Sequence, residues 1–178
     1  MKILLIRHGE SEANVADRIN DDPARVVNLT EQGRAQAEAA SNMLRSIRFT
    51  NAYASEFPRA RQTAEILLRL HACPLHIDAR LNERRSGMDG QPVNEFNELV
   101  RPDPLRFKPE QGESFLEQME RLRSFLDEIA ARHRGGTVLA VSHENPILAA
   151  QALAAEDPEQ IVRGNIANCA WVELAWPC

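Results

Sequence analysis

The stretch that decides the fold is Lys2–Ser11, which reads KILLIRHGES. Its first part, Lys2–Arg7, is a continuous apolar run, which is typical of a strand buried on both faces of a sheet. A second such run, Thr137–Val141 (TVLAV), lies in the last third of the chain. Both runs are followed by polar residues, among them His8 and His143. Two buried strands that each lead into a histidine predict a parallel sheet with chemistry at one edge.

Signals for helices separate these strands from further strand candidates. Thr30 is an N-cap residue before an apolar pattern of helical spacing, and Pro58 fits the first turn of another helix. Ser114–Glu117 has the form of a capping box, and Asn145 begins a helix after the second buried strand. Further strands are predicted at residues 52–54, 75–77 and 169–176. Strands that alternate with helices predict an α/β fold, a three-layer α/β/α sandwich with a mostly parallel central sheet.

The segment from Arg84 to Gly112 interrupts this alternation. It contains four prolines and three glycines, and only residues 94–100 have a helical pattern. A long irregular segment in a compact domain is usually functional or mobile. We predict one domain, residues 1–178, in which this segment covers the edge of the sheet. A surface loop without a role is the alternative.

Composition and charge exclude several classes of protein. The chain has 178 residues, with 26 Asp or Glu, 21 Lys or Arg and a net charge of −5. Such an acidic chain does not favour nucleic acid or anionic membranes, and no apolar run approaches the ~20 residues of a membrane span. The N-terminus lacks a signal-peptide pattern and the three cysteines lack CxxC spacing, so we expect a cytoplasmic protein without a disulfide framework. The sequence does not fix the oligomeric state, and a homodimer is left open.

Charged side chains collect at the predicted carboxyl ends of the strands, where open parallel sheets bind ligands. Arg7 precedes His8, Arg59 lies at a helix start after the second strand, and Glu83 follows the third strand. Two imidazoles, at least two guanidiniums and one carboxylate at one edge predict an anion site that holds its own acid.

Six blocks of sequence resemble the motifs of the histidine phosphatase superfamily, the phosphoglycerate mutase-like family, in the order in which that family has them. The first block, residues 5–14 (LIRHGESEAN), is similar to the RHG signature of the family. The others are residues 28–37 (NLTEQGRAQA), Ser55 with 59–64 (RARQTA), 81–83 (LNE) with Gly87 and Gly90, 112–114 (GES), and 141–143 (VSH). The resemblance implies the phosphoglycerate mutase-like fold.

The resemblance also implies roles in a phosphoryl transfer that needs neither a metal ion nor a cofactor. His8 would attack phosphorus and become phosphohistidine. Its neighbouring arginines favour the neutral imidazole, and its other ring nitrogen must be bound, which we expect a backbone carbonyl to do. Glu83 would protonate the leaving oxygen and later take a proton from water. The non-bridging oxygens would be bound by Arg7, Arg59 and His143.

Further residues are candidates for binding the substrate. Ser11, Asn14 and Asn145 match positions at which the family donates hydrogen bonds to phosphate. Arg84 is either a ligand of a second anionic group or a solvated side chain. Glu144 stands where the family usually has a small residue, and a carboxylate there repels an anion unless it points away or meets a basic group of the substrate.

These residues predict a phosphomonoesterase that hydrolyses a small phosphorylated metabolite through a phosphohistidine intermediate. A phosphoglycerate mutase is the main alternative, but only 28 residues separate Glu83 from Gly112, whereas mutases of the family have a larger insertion there. A phosphohistidine protein phosphatase is a further alternative. A non-catalytic phospholigand-binding protein would be expected to lose His8 or Glu83. A metallohydrolase would need an HxH or HExxH pair, which the sequence lacks.

Overall fold

A five-stranded sheet forms the centre of the computed structural model, which describes residues 1–159 and 164–177. The strands are β1 (Lys2–Arg7), β2 (Asn51–Ala54), β3 (Leu75–Ile77), β4 (Thr137–Ser142) and β5 (Trp171–Ala175). Their order across the sheet is β3-β2-β4-β1-β5. The β2–β3, β2–β4 and β1–β4 pairs are parallel, and β5 alone among these strands runs antiparallel, beside β1. The predicted mostly parallel sheet is confirmed.

The helices of the described residues are α1 (Glu12–Val15), α2 (Glu31–Leu44), α3 (Pro58–Leu67), α4 (Val93–Val100), α5 (Phe115–Arg132) and α6 (Glu144–Ala155). The sequence predicted α2, α3, α5 and α6 from their first residues and α4 from its helical pattern, but it did not predict α1. Thr30 Oγ1 accepts a hydrogen bond from Gly33 N at the start of α2, and Ser114 forms the expected capping box of α5. The last strand begins at Trp171, later than predicted, because Cys169 lies in a turn with a left-handed φ of 57°.

Two apolar clusters lie on opposite faces of the sheet. In β1, Ile3 and Leu5 pack against α5 and α6, while Leu4 and Ile6 pack against α2 and α3. All four side chains are fully buried, which is why this run is apolar without alternation. The sheet is thus covered by helices on both faces, as the predicted three-layer α/β/α sandwich requires. Within the described residues, no helix combines the length and apolarity that crossing a membrane would need.

Two glycines bring the start of α2 against the loop that follows β1. A Cβ on Gly9 would collide with the carbonyl group of Gly33, and a Cβ on Gly33 would collide with the carbonyl group of Glu10. The close approach of the two backbones therefore requires glycine at both positions. It sets the position of the loop that contains His8.

The irregular segment 84–112 is tied to the loop that follows α1. The Asp21 carboxylate accepts hydrogen bonds from Ser86 Oγ at 2.7 Å and from Gly87 N at 3.0 Å. The Asp89 carboxylate accepts one from the backbone of Asp21 at 3.0 Å and pairs with Arg25 at 2.8 Å. These bonds hold α4 over the carboxyl ends of the strands.

Candidate active site

The two predicted histidines meet at one edge of the sheet. His8 follows β1 and His143 follows β4, and these parallel strands are neighbours with Arg7 opposite Ser142. The two ring centroids are 5.0 Å apart, and the side chains are 3% and 0% exposed. The sequence prediction that these imidazoles lie together is confirmed.

The His8 imidazole is oriented by its two neighbours. Nδ1 lies 2.7 Å from the carbonyl oxygen of Gly9, to which it donates, and Nε2 accepts a hydrogen bond from Arg59 Nε at 3.0 Å. Gly9 N in turn donates to Thr63 Oγ1 at 3.1 Å, which fixes the loop. Burial, followed by the charges of Arg59 and Arg7, lowers the pKa of His8 well below its ordinary value. The expected bond to a backbone carbonyl is present, and it leaves Nε2 with a lone pair.

Arg59 is the central cation of the site. Besides its bond to His8, it donates from Nη1 to Asn20 Oδ1, from Nη2 to Asn20 O at 3.1 Å, and from Nη2 to His143 Nδ1 at 3.2 Å. Burial lowers the pKa of Arg59 to about 10, and the charge of Glu83 opposes this shift. The guanidinium remains charged at neutral pH. Asn20 belongs to none of the six sequence blocks and was missed.

Both ring nitrogens of His143 are engaged. Because Arg59 donates to Nδ1, the proton of this imidazole lies on Nε2, which donates to Ser55 Oγ at 2.8 Å. Burial, with Arg59 and His8 contributing, lowers the pKa of His143 well below its ordinary value. His143 lies behind the cavity rather than in its wall. Its predicted contact with phosphate stays a prediction, since Arg59 Nη2 must first leave Nδ1.

Glu83 lies in the wall of the same cavity. Burial raises the pKa of its carboxyl group. Four neighbours oppose the shift: the backbone N–H of Arg84, which donates to Oε1 at 2.8 Å, the charge of Arg59, the side chain of Asn145, and the charge of Arg7. The group therefore keeps its proton to a higher pH than an ordinary glutamic acid, which suits a general acid. Asn145 was predicted as a ligand of phosphate, and its observed partner is this carboxyl group.

Ser11 and Asn14 shape the first turn after His8. Ser11 caps α1 and is fully buried; its Oγ donates to Asn14 Oδ1 at 3.0 Å. Asn14 Nδ2 donates to no described residue, and both residues line the cavity. Asn14 thus has a free donor, whereas the Ser11 hydroxyl is already used in the capping box.

Arg84 is buried, with 6% of its surface exposed, so the solvated alternative is wrong. Its Nε donates to the carbonyl of Glu113 at 3.1 Å, and its Nη2 to the carbonyl of Phe107 at 3.0 Å. The guanidinium also lies 5.3 Å from the centre of the Phe96 ring, on α4. Arg84 lines the cavity, and two of its donors bind the backbone carbonyls of Phe107 and Glu113. Its role as a ligand of a second anion stays a prediction.

Glu144 neither points away from the cavity nor needs a basic group of the substrate, the two alternatives that the sequence left. Its partner is a basic side chain of the protein itself. Its Oε2 lies 3.0 Å from Arg7 Nη1, and its Oε1 accepts from the backbone N–H of Ile166 at 3.1 Å. The same C-terminal segment provides Asn168, whose Nδ2 donates to the carbonyl of His8 at 3.0 Å. The motif blocks end before Ile166 and Asn168, so sequence reasoning had no signal for them.

A cavity of about 520 Å³ opens in front of these groups. Part of its wall is polar and contains His8, Arg7, Arg59 and Glu83. Apolar side chains of α4 and α6 also line it, namely Val93, Phe96, Val100 and Leu148. Segment 84–112 contributes side chains of α4 to the cavity wall, and its role as a cover of the sheet edge stays a prediction. Among the described residues, no group of three or more His, Cys, Asp or Glu side chains could hold a metal ion.

The model of the histidine phosphatase superfamily, branch 1, matches residues 3–177. The chain belongs to this superfamily. It is 32% identical over 154 residues to the adenosylcobalamin/alpha-ribazole phosphatase of Salmonella typhimurium, which covers 81% of this chain and 74% of that protein. It is also 32% identical over 154 residues to a probable phosphoglycerate mutase, GpmB, of Proteus mirabilis, which covers 80% of this chain and 69% of that protein.

Solved structures of similar proteins share the fold of this histidine phosphatase superfamily member. YhfR of Bacillus stearothermophilus has a TM-score of 0.87 and 26% identity, over 98% of this chain and 90% of that chain. A mycobacterial glucosyl-3-phosphoglycerate phosphatase in a complex with VO3 has a TM-score of 0.88 and 25% identity, over 98% of this chain and 90% of that chain. The predicted phosphoglycerate mutase-like fold is confirmed.

Proposed function

We propose that this protein hydrolyses small phosphate monoesters through a phosphohistidine formed at His8 Nε2. The single observation that carries the proposal is the orientation of this imidazole: Nδ1 donates to Gly9 O, and Nε2 faces the cavity side with Arg59 as its only described hydrogen-bond partner. A neutral imidazole with a lone pair beside a buried cation is what attack on a phosphorus atom requires.

The first half-reaction uses the charge of the polar part of the cavity wall. The phosphoryl group takes the place of the His8–Arg59 hydrogen bond, and its non-bridging oxygens accept from Arg59 and Arg7. The Nε2 lone pair forms the N–P bond while the bond from phosphorus to the leaving oxygen breaks. Protonated Glu83 gives its proton to that oxygen, so the leaving group departs as an alcohol.

The second half-reaction reverses the role of Glu83. The carboxylate left by the first step takes a proton from a water molecule, whose oxygen attacks phosphorus. The N–P bond breaks, inorganic phosphate leaves, and Glu83 is protonated again. The arginines provide the positive charge throughout, so the mechanism needs no metal ion or cofactor.

The names of relatives support a phosphatase and leave a mutase as second candidate. Two of the similar proteins are named as phosphatases of small phosphorylated metabolites, and another as a probable phosphoglycerate mutase. We take residues 1–178 as one catalytic domain of a cytoplasmic enzyme whose partner is a small-molecule phosphate ester rather than nucleic acid or membrane. Sedimentation equilibrium distinguishes a monomer from a homodimer.

The experiment is a panel of phosphorylated metabolites assayed for release of inorganic phosphate, with and without a chelator. Wild-type protein should release phosphate from some of them without added metal, and His8→Ala should release none. A short reaction with ³²P-labelled substrate, stopped in alkali, should trap acid-labile label on His8. Turnover by His8→Ala, label on serine, or activity that a chelator abolishes and a metal restores would contradict the mechanism. Transfer of the phosphoryl group to a second hydroxyl in place of water would favour the mutase.

A further inference from the structure

Arg7 is held at one end of its guanidinium. Nη1 lies 3.0 Å from Glu144 Oε2 and also donates to the carbonyl of Ile166. The ion pair is largely withdrawn from solvent, since the two side chains are 16% and 29% exposed. Glu144 is itself fixed, because it lies in the first turn of α6 and its Oε1 accepts from Ile166 N at 3.1 Å. Arg7 and Glu144 both line the cavity.

The other edge of the same guanidinium is unused. Arg7 Nε is buried, and within residues 1–159 and 164–177 neither Nε nor Nη2 has a hydrogen-bond acceptor. The N–H groups of Nε and Nη2 are parallel, and together they form the fork that binds two oxygens of one carboxylate or phosphate. A buried donor without an acceptor is rare in a folded protein, and this one belongs to a residue of the cavity wall, where an anion bound in the cavity would accept from it.

We infer that Glu144 is a positioning residue for Arg7. The Glu144 carboxylate holds Arg7 Nη1, so that the Nε–Nη2 edge of the guanidinium faces the phosphoryl oxygens. The inference rests on the proposed function, because that function places a phosphoryl group beside His8. A carboxylate that competed with phosphate would occupy the fork itself, whereas Glu144 takes the nitrogen at the opposite end. A long arginine side chain loses rotamer freedom when it binds an anion, and a partner that fixes it beforehand removes part of that cost.

The positioning role makes a prediction that general support of the fold does not make. If Glu144 acts through Arg7, its removal matters only while Arg7 is present. The double-mutant cycle of Arg7→Ala and Glu144→Ala measures this coupling directly. Glu173→Ala is the matched control, because Glu173 pairs with Lys2 at the other end of β1 at 2.5 Å and lies outside the cavity wall.

The experiment measures kcat and KM on the best substrate of the panel, together with the dissociation constant of orthovanadate by calorimetry. We expect Glu144→Ala to weaken vanadate binding and to lower kcat/KM by about tenfold, and Glu144→Gln, which keeps one acceptor oxygen, to lie in between. In the Arg7→Ala background, Glu144→Ala should change kcat/KM and the dissociation constant of vanadate by less than about twofold each. Glu173→Ala should match the wild-type protein, and thermal unfolding shows whether each variant is folded.

An equal loss in both backgrounds, or vanadate binding that tightens in Glu144→Ala, would overturn the inference. The first result would mean that Glu144 supports the fold without Arg7, and the second that it competes with the anion. If the wild-type protein binds vanadate with the coupled pattern but releases no phosphate from any ester, the proposed function fails and the inference stands. Phosphatase activity without the coupling overturns the inference alone, and absence of vanadate binding overturns both.

Discussion

Acid should destabilise this protein well above the pH at which carboxylates titrate, because His8 and His143 are buried as neutral imidazoles. In both, burial is the largest cause that lowers the pKa, and Arg59 adds to it. The unfolded chain exposes the same side chains, whose pKa is then about 6.5. Below that pH the unfolded state binds protons that the folded state excludes, so stability falls as pH falls.

The magnitude follows from the number of protons. A histidine that stays neutral in the folded state lowers the unfolding free energy by about 1.4 kcal/mol when the pH falls from 7.5 to 5.5, because only the unfolded form gains a proton over that range. The pair therefore costs about 3 kcal/mol, a large part of the stability of an ordinary domain. The raised pKa of Glu83 acts in the opposite direction, because the folded state then holds more protons than the unfolded state. Glu83→Gln removes that opposing contribution.

The assay is urea unfolding at pH 7.5, 6.5 and 5.5, followed by circular dichroism, with the Glu83→Gln variant as the reference. His8→Asn and His143→Asn, each in that background, should each remove about 1.4 kcal/mol of the change between pH 7.5 and pH 5.5, whatever they do to stability at pH 7.5. His133, whose pKa burial also lowers, adds a contribution of the same sign that both variants keep. A reference protein whose unfolding free energy is the same at pH 7.5 and 5.5 would refute the reasoning. The imidazoles would then be charged in the folded state, and His8 could not be the resting nucleophile.

Three further outcomes are expected. Glu83→Gln should slow phosphorylation of His8 by an alkyl phosphate by a factor of roughly 10². The slowing with p-nitrophenyl phosphate should be much smaller, because nitrophenolate leaves without a proton. Rapid-quench single turnovers measure both rates, and equal slowing would mean that another residue is the acid. Arg59→Lys should lower kcat/KM at least about tenfold, because lysine lacks the planar fork, and steady-state activity within twofold of the wild type would remove Arg59 from the phosphate site. Gly33→Ala should lower the unfolding free energy by about 1–3 kcal/mol, since its Cβ would collide with the Glu10 carbonyl; thermal unfolding at an unchanged midpoint would contradict the close approach.

The sequence was sufficient for the sheet and for the group around His8. Because β1 and β4 are buried on both faces, their sequences are uninterrupted apolar runs. The residues that follow these runs, His8 and His143, therefore lie at the carboxyl ends of the two strands. Arg59 is placed by a local signal, since it lies in the first turn of α3, whereas Glu83 follows the end of β3 at Ile77 only after a short 3-10 turn, Ala79–Leu81. The prediction of Cys169–Trp176 was too long at its start because apolar character alone does not reveal a left-handed turn at Cys169.

The contacts that the sequence did not predict join distant parts of the chain. Asn20 accepts from Arg59 because segment 84–112 and the loop after α1 are bound together, and no spacing in the sequence encodes that packing. The sequence did not predict the partner of Glu144 for the same reason. Its carboxylate meets Arg7 only because β1 and β4 pair across more than a hundred residues. Local pattern identifies which side chains are unusual, whereas tertiary packing decides what they contact.

The position of β5 beside β1 has a consequence for the synthesis of the protein. β1 leaves the ribosome before the other four strands, and its two neighbours in the sheet, β4 and β5, are the last of the five to be made. The hydrogen bond from Asn168 Nδ2 to the carbonyl of His8 also forms only after residue 168 has been made. Until then the apolar run of β1 has unpaired edges on both sides, a state that is prone to aggregation and slow to fold. We expect the nascent chain to need protection by chaperones until β4 and β5 have been made and have paired with β1.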